Sequence, residues 1–165
     1  MKVYFAADHA GFALKNVLVE YARTLGYETE DVGAFSFNPD DDYPDFVMPC
    51  AKRVATEPDS CGVVVGASGQ GEAMVANRVI GVRAAVFYGS PSRRTSDGCR
   101  EPALQTDATG ESLDIISSMR AHNGANVLAL GARFITVDEA KEAVKQFLET
   151  SFSDAPRHAR RIAKF

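Results

Sequence analysis

The chain has 165 residues, 45% hydrophobic and 24% charged, with a net charge of −4 at pH 7. That is the size and composition of one globular domain whose core stands without disulfides or metal. The acidic balance argues against a general nucleic-acid binder or an anionic-membrane binder, since both want a basic face, but it leaves room for a small Arg cluster aimed at one phosphate.

Residues 3–7 are a continuous apolar run, the mark of a strand buried on both faces. Leu14, Val17, Leu18, Tyr21, Ala22 and Leu25 then recur at three and four, one face of an amphipathic helix that Gly26 stops. Residues 27–32 read as a second strand, and a helix over 46–54 follows the turn at Asp42-Tyr43-Pro44. A third buried strand covers 61–65, and a glycine-rich turn follows it at once and continues as a helix over 72–79. A fourth strand is expected over 82–87, a helix over 113–121 and a fifth strand over 127–130. Thr136-Val137-Asp138-Glu139 has the form of a capping box and opens a helix with Ala140, Val144, Phe147 and Leu148 inward.

Strand and helix alternate throughout, which predicts an α/β fold: a three-layer, Rossmann-like sandwich with a five-stranded parallel sheet. Ligands bind such sheets outside the carboxyl ends of the strands. The stretch 89–110 holds one large aliphatic residue, Leu104, and reads as a loop insertion in a single domain spanning 1–165. Its composition suits either a tolerated surface excursion or a lid.

Cys50, Cys61 and Cys99 are odd in number and lack metal or redox spacing, so neither a disulfide framework nor a zinc site is expected. No stretch approaches the ~20 apolar residues of a membrane span. The opening MKVYFAADHAG turns polar too soon for a signal peptide, and a cytoplasmic protein is expected.

The turn Gly66-Ala67-Ser68-Gly69-Gln70-Gly71-Glu72 leaves a strand and enters a helix, where backbone amides lack intrahelical partners and suit an anion. Gly66 and Gly71 have the spacing of a nucleotide phosphate loop, but Glu72-Ala73 stands where Lys-Ser/Thr would be needed. The dinucleotide fingerprint also fails, because Ala6-Ala7-Asp8-His9 follows the first strand. What remains is a nest of amides with a carboxylate at its edge. Such a pairing can hold a developing oxyanion and move a proton next to a carbonyl. Equally, Glu72 can do no more than neutralise a helix N-terminus. His9 sits beside Asp8 on the ligand side, His122 precedes a turn before the fifth strand, and His158 lies in the basic run Arg157-His158-Ala159-Arg160-Arg161. That run suits either a phosphate clamp or a solvated helix face.

With these motifs in order, the sequence resembles the type B ribose-5-phosphate isomerases, in the family that also holds galactose-6-phosphate and allose-6-phosphate isomerases. The motifs are Ala7-Asp8-His9-Ala10-Gly11, Asp40-Asp41-Asp42-Tyr43-Pro44, the turn 66–72 with Ala76-Asn77-Arg78, Arg120-Ala121-His122-Asn123, Gly131-Ala132-Arg133, and Arg157-His158 with Arg160-Arg161-Ile162. Many members carry a cysteine base where this chain has Gly66. Here Glu72 matches the glutamate base of an actinobacterial subgroup. The resemblance implies Glu72 as proton acceptor between C2 and C1, His122 as the acid of ring opening with Asp8, and Ser68 near the reacting oxygens. It implies that amides of Ala67, Ser68, Gly69, Gln70 and Gly71 stabilise the enediolate. Arg133, Arg157 and Arg161 are then the phosphate ligands, helped by His9, and Asn123 and Tyr43 are sugar contacts. It further implies no cofactor, no metal, no nucleic-acid or membrane partner, and a homodimer with shared sites, or a tetramer. The expected activity is interconversion of ribose 5-phosphate and ribulose 5-phosphate. The alternatives are the same reaction on a hexose 6-phosphate and a phosphosugar-binding module without turnover.

Overall fold

The computed structural model describes residues 1–89, 92–94, 100–102, 106, 110 and 114–165. Its strands are β1 (Lys2–Ala7), β2 (Glu28–Asp31), β3 (Cys61–Gly66), β4 (Ala84–Phe87), β5 (Ser92–Arg94), β6 (Arg100–Pro102) and β7 (Val127–Gly131). Its helices are α1 (Phe12–Thr24), α2 (Pro44–Thr56), α3 (Gln70–Ala76), α4 (Ile115–Ala121), α5 (Val137–Glu149) and α6 (Pro156–Ile162). Five strands form one sheet in the order β2-β1-β3-β7-β4, every pairing parallel.

Period-two alternation explains the three layers. Val3, Phe5, Ala7, Cys61, Val63, Val65, Leu128 and Leu130 point to one face, where α1, α4 and α5 cover them. Tyr4, Ala6, Val64, Val127 and Ala129 point to the other, against Val47, Cys50, Ala51 and Val54 of α2 and Ala73 and Ala76 of α3. The apolar runs are continuous because both faces are buried. The Rossmann-like α/β sandwich read from the sequence is therefore the fold. The capping box of α5 is present as well: Thr136 Oγ1 accepts from Glu139 N at 3.2 Å and Glu139 Oε2 from Thr136 N at 2.7 Å.

Two expectations need correction. The helical stripe predicts Val17 inward, but it is 39% exposed, and the buried face of α1 is Lys15, Leu18, Val19 and Ala22. Lys15 can take that place because its ammonium is fully satisfied: it donates to Asp31 Oδ1 and Oδ2 at 2.7 and 2.6 Å and to the Ala34 carbonyl at 2.7 Å. The insertion is also more than irregular chain, since β5 and β6 pair antiparallel with Ser92 opposite Pro102. The rest of 90–113, including Cys99 and Leu104, lies outside the described residues.

The chain leaves β1 outward to β2 and returns past it to β3, so the strand order reverses between β1 and β3. Crevices of open α/β sheets form at such a switch point. The loop at 33–45 is tied over this crevice by backbone bonds from Ala7 N to Gly33 O, 2.8 Å, and from Ala34 N to Ala7 O, 2.7 Å.

Candidate active site

Asp8 follows β1, is 6% exposed, and accepts from the amides of Ala10 and Gly11 at 3.0 and 3.2 Å through Oδ1. The carboxylate is thereby held rigidly at the switch point. His9 N and Nδ1 both donate to Asp41 Oδ1, at 2.9 and 2.7 Å. The Asp41 bond is the main cause that raises the His9 pKa; desolvation opposes it, the Asp8 and Asp41 charges add to it and the Arg133 charge lowers it. Arg133 therefore sits near enough to His9 for the two cations to repel.

The turn after β3 is shaped by two glycines. Gly69 adopts φ +76°, which only glycine takes readily, and the turn folds back beneath β7, with Ala132 N bonded to Gly66 O at 2.8 Å and Arg133 N to Ala67 O at 3.1 Å. The amides of Ala67 and Ser68 make no hydrogen bond to another described residue. Ser68 Oγ accepts from Gln70 N at 3.3 Å. A Cβ placed on Gly66 would lie 1.8 Å from Glu72 Oε1. Glu72 thus folds back over the strand end and occupies the space that a side chain at 66 would take. It is 4% exposed, and its pKa is raised, chiefly by burial and further by Asp8, against the pull of the amides of Glu72 and Gly69. Tyr43 reaches the same turn: a Cβ on Gly71 would meet its ring at 2.9 Å.

Asp8, His9, Tyr43, Glu72, Arg133 and the turn 67–71 therefore gather at one end of the sheet. His122, Asn123, Arg157 and Arg161 do not join them within the chain. His122 caps α4, ahead of Val127 at the start of β7, whereas Glu72 follows the end of β3. Gly62 pairs with Val127 and Gly66 with Gly131, so about 13 Å of strand separates the two groups. At the far end His122 and His158 lie 4.6 Å apart between ring centroids, with Ser118 Oγ 3.1 Å from His122 Nδ1 and Ser153 Oγ 2.9 Å from His158 Nδ1. Burial, then His122, Arg157 and Arg161, lowers the pKa of His158.

Sequence reasoning quoted Asp41 and His158 inside motifs but gave neither a role. An acid among three in a row reads as solvated, and so does a histidine in a basic run. Asp8, His9 and Asp41 offer ligand atoms within 4.8 Å of one another, the spacing of a cation site, but the His9 ring bond to Asp41 already uses two of the three.

A buried carboxylate in a turn with free amides, at the switch point of a parallel sheet, is an arrangement suited to an α/β enzyme acting on a small anion. Residues 3–97 and 109–165 match the family model described as Ribose/Galactose Isomerase, and the chain belongs to that family. It is 38% identical to ribose-5-phosphate isomerase B of Mycolicibacterium paratuberculosis over 98% of this chain and 87% of the relative. The Mycobacterium tuberculosis enzyme of that name is also 38% identical, over 98% of this chain and 86% of the relative. Among solved structures, ribose-5-phosphate isomerase B from Mycoplasma genitalium with bound ribulose-5-phosphate superposes with a TM-score of 0.80 at 32% identity, covering 99% of this chain and 92% of that one. The Clostridium thermocellum enzyme gives 0.80 at 33% identity, covering 99% and 94%.

Gly66→Ala tests the packing of Glu72. The added methyl lies on the carboxylate, so Glu72 must swing away from the turn. The expected result is a folded protein whose kcat falls by about a hundredfold or more, the scale of a displaced proton-transfer group. Unchanged kcat would show that the carboxylate does not work from this position.

Proposed function

We propose that the protein interconverts ribose 5-phosphate and ribulose 5-phosphate through an enediolate, at sites shared between two copies of the chain. The observation that carries this reading is Glu72: a buried carboxylate, its pKa raised, folded over Gly66 in the turn whose Ala67 and Ser68 amides are free, at the switch point. A base whose pKa lies closer to the working pH transfers protons better. The relatives named above support the pentose as substrate.

His122 protonates the ring oxygen of the sugar while Asp8 takes the proton from O1, opening the furanose to the aldehyde. Glu72 then removes the proton from C2, and that C–H pair becomes the C1=C2 bond while negative charge moves to O1. Amides of Ala67, Ser68, Gly69, Gln70 and Gly71 receive the oxyanion, with the Ser68 hydroxyl beside it. An oxyanion donor of this kind is worth about 10²–10³ in rate. Glu72 returns its proton to C1, the O2 proton passes to O1, and the ketose forms. No electrons leave the substrate, so the chemistry calls for no redox cofactor.

Arg133, Arg157 and Arg161, with His9, hold the phosphate; Tyr43 and Asn123 contact the sugar. The division of these residues between two sheet ends supports a homodimer in which a second copy supplies His122, Asn123, Arg157 and Arg161. The exposed Met74 and Ile80, on and just after α3, give such an interface apolar surface. A cytoplasmic place in pentose phosphate metabolism accompanies this reading.

The test is turnover of ribose 5-phosphate against allose 6-phosphate and galactose 6-phosphate by the purified protein. Preference for a hexose phosphate would move the substrate assignment, and no turnover of any of them would leave a binding module. Thiol reagents form a second test. Burial pushes the Cys50 thiol up to about 12, with Asp31 adding to it, and burial also raises that of Cys61. Iodoacetamide at neutral pH, and the joint change of Cys50, Cys61 and Cys99 to Ala, are expected to leave kcat within a few-fold. Complete loss in a folded variant would assign a cysteine to the chemistry.

A further inference from the structure

We propose that Asp41 is a positioning residue for His9: it grips the imidazole through Nδ1 and leaves Nε2–H facing the phosphate of the substrate. The proposal rests on the phosphosugar reading above, and it gives a role to a side chain that this reading does not use.

Four observations carry it. Asp41 comes from the loop at 33–45, 32 residues away in sequence, yet one oxygen accepts both the His9 amide and the His9 ring, at 2.9 and 2.7 Å. Two bonds to one acceptor fix both the backbone and the rotamer of His9. Since the carboxylate only accepts, the ring must carry its proton on Nδ1, and the free nitrogen is Nε2. The Asp41 side chain is 7% exposed, against 31% for His9, so the anchor is buried and its ligand face is open. Among the described residues Asp41 Oδ2 is buried with no hydrogen-bond partner. A carboxylate kept in that state demands a reason, and holding a cation beside it is one.

The charged groups acting on His9 are Asp41 and Asp8, which favour its proton, and Arg133, which opposes it. The ring edge also meets Phe37, 6.5 Å between centroids. Without Asp41 the largest support for the His9 proton is gone, and desolvation and then Arg133 oppose it with only Asp8 left to favour it. With Asp41, two cations are kept side by side, and a phosphate dianion relieves their repulsion on binding. His9 is held charged to higher pH than an ordinary histidine, so phosphate affinity is kept as pH rises through the ordinary value and is lost only above it.

The test is Asp41→Asn with Asp41→Glu beside it. In the parent protein, the His9 ring followed by NMR is expected to titrate above the ordinary histidine value, and in Asp41→Asn to fall toward it. KM for ribose 5-phosphate is expected to rise about tenfold or more at pH 8, the scale of a charge-assisted hydrogen bond, and less at pH 6, with kcat within a few-fold. Asp41→Glu should recover part of the loss, and Asp41→Asn should add nothing in a His9→Asn background. An unchanged His9 titration and KM in a folded Asp41→Asn protein would overturn the proposal. If both variants fail to fold, a parent His9 that titrates at or below the ordinary value overturns it. The NMR titration needs no turnover. A parent protein inactive on ribose 5-phosphate whose His9 still depends on Asp41 would therefore refute the substrate and leave the positioning role standing.

Discussion

Glu72→Gln is expected to lower kcat by about 10²–10⁴-fold while phosphosugar binding stays within a few-fold and the melting temperature does not fall. The amide keeps the shape of the side chain over Gly66 and removes only its ability to take a proton. The stability half follows from the direction of the pKa shift. The folded protein holds the Glu72 proton to higher pH than the ordinary value of 4.5. Stability from this group is complete below that ordinary value and is lost as pH rises through the raised one. At neutral pH the ionised carboxylate therefore weakens the fold, and a neutral amide relieves it. In the parent, the acid limb of kcat/KM should lie above 4.5 for the same reason. Near-normal kcat in the variant would show that another group is the base. A large fall in melting temperature would show that the carboxylate stabilises the fold it is read as straining.

Assayed at ribose 5-phosphate well below KM, a mixture of Glu72→Gln with Arg161→Ala protein is expected to exceed the sum of the two variants measured apart. Each fault lies at a different end of the sheet, so a heterodimer joins both faults in one site and leaves the other intact. Random exchange makes half the dimers mixed, and recovery should approach roughly a quarter of the parent activity. Arg161→Ala alone should raise KM about tenfold or more through loss of a charge-assisted contact. No recovery after demonstrated subunit exchange would place the whole site within one chain.

The sheet and its helices were legible because continuous apolar runs and stripes at period 3.6 are set by burial alone. The carboxylate beside the glycine turn was legible because Glu72 breaks the phosphate-loop pattern at a decisive position. Lys15 was not, since a lysine in a helical stripe reads as surface until Asp31 and the Ala34 carbonyl come within reach of it. Nor was the grip of Asp41 on His9, which joins residues 32 apart through a loop whose path no local periodicity records. The helix ends shifted for local reasons: Pro44 starts α2 earlier than the apolar residues indicate, and Asp114 caps α4 by accepting from Ser117 N at 2.8 Å.

The seat of Glu72 over Gly66 bears on how such an enzyme changes its base. In the cysteine-based relatives it resembles, a side chain stands at the position of Gly66, and here that volume is filled by the carboxylate. A side chain at 66 and the seated carboxylate cannot share that volume, so the two positions are coupled: whatever residue stands at 66 sets where the residue at 72 can lie. A glycine at 66 and a glutamate folded over it are therefore traits inherited together, and a graft of one without the other carries a misfitted turn.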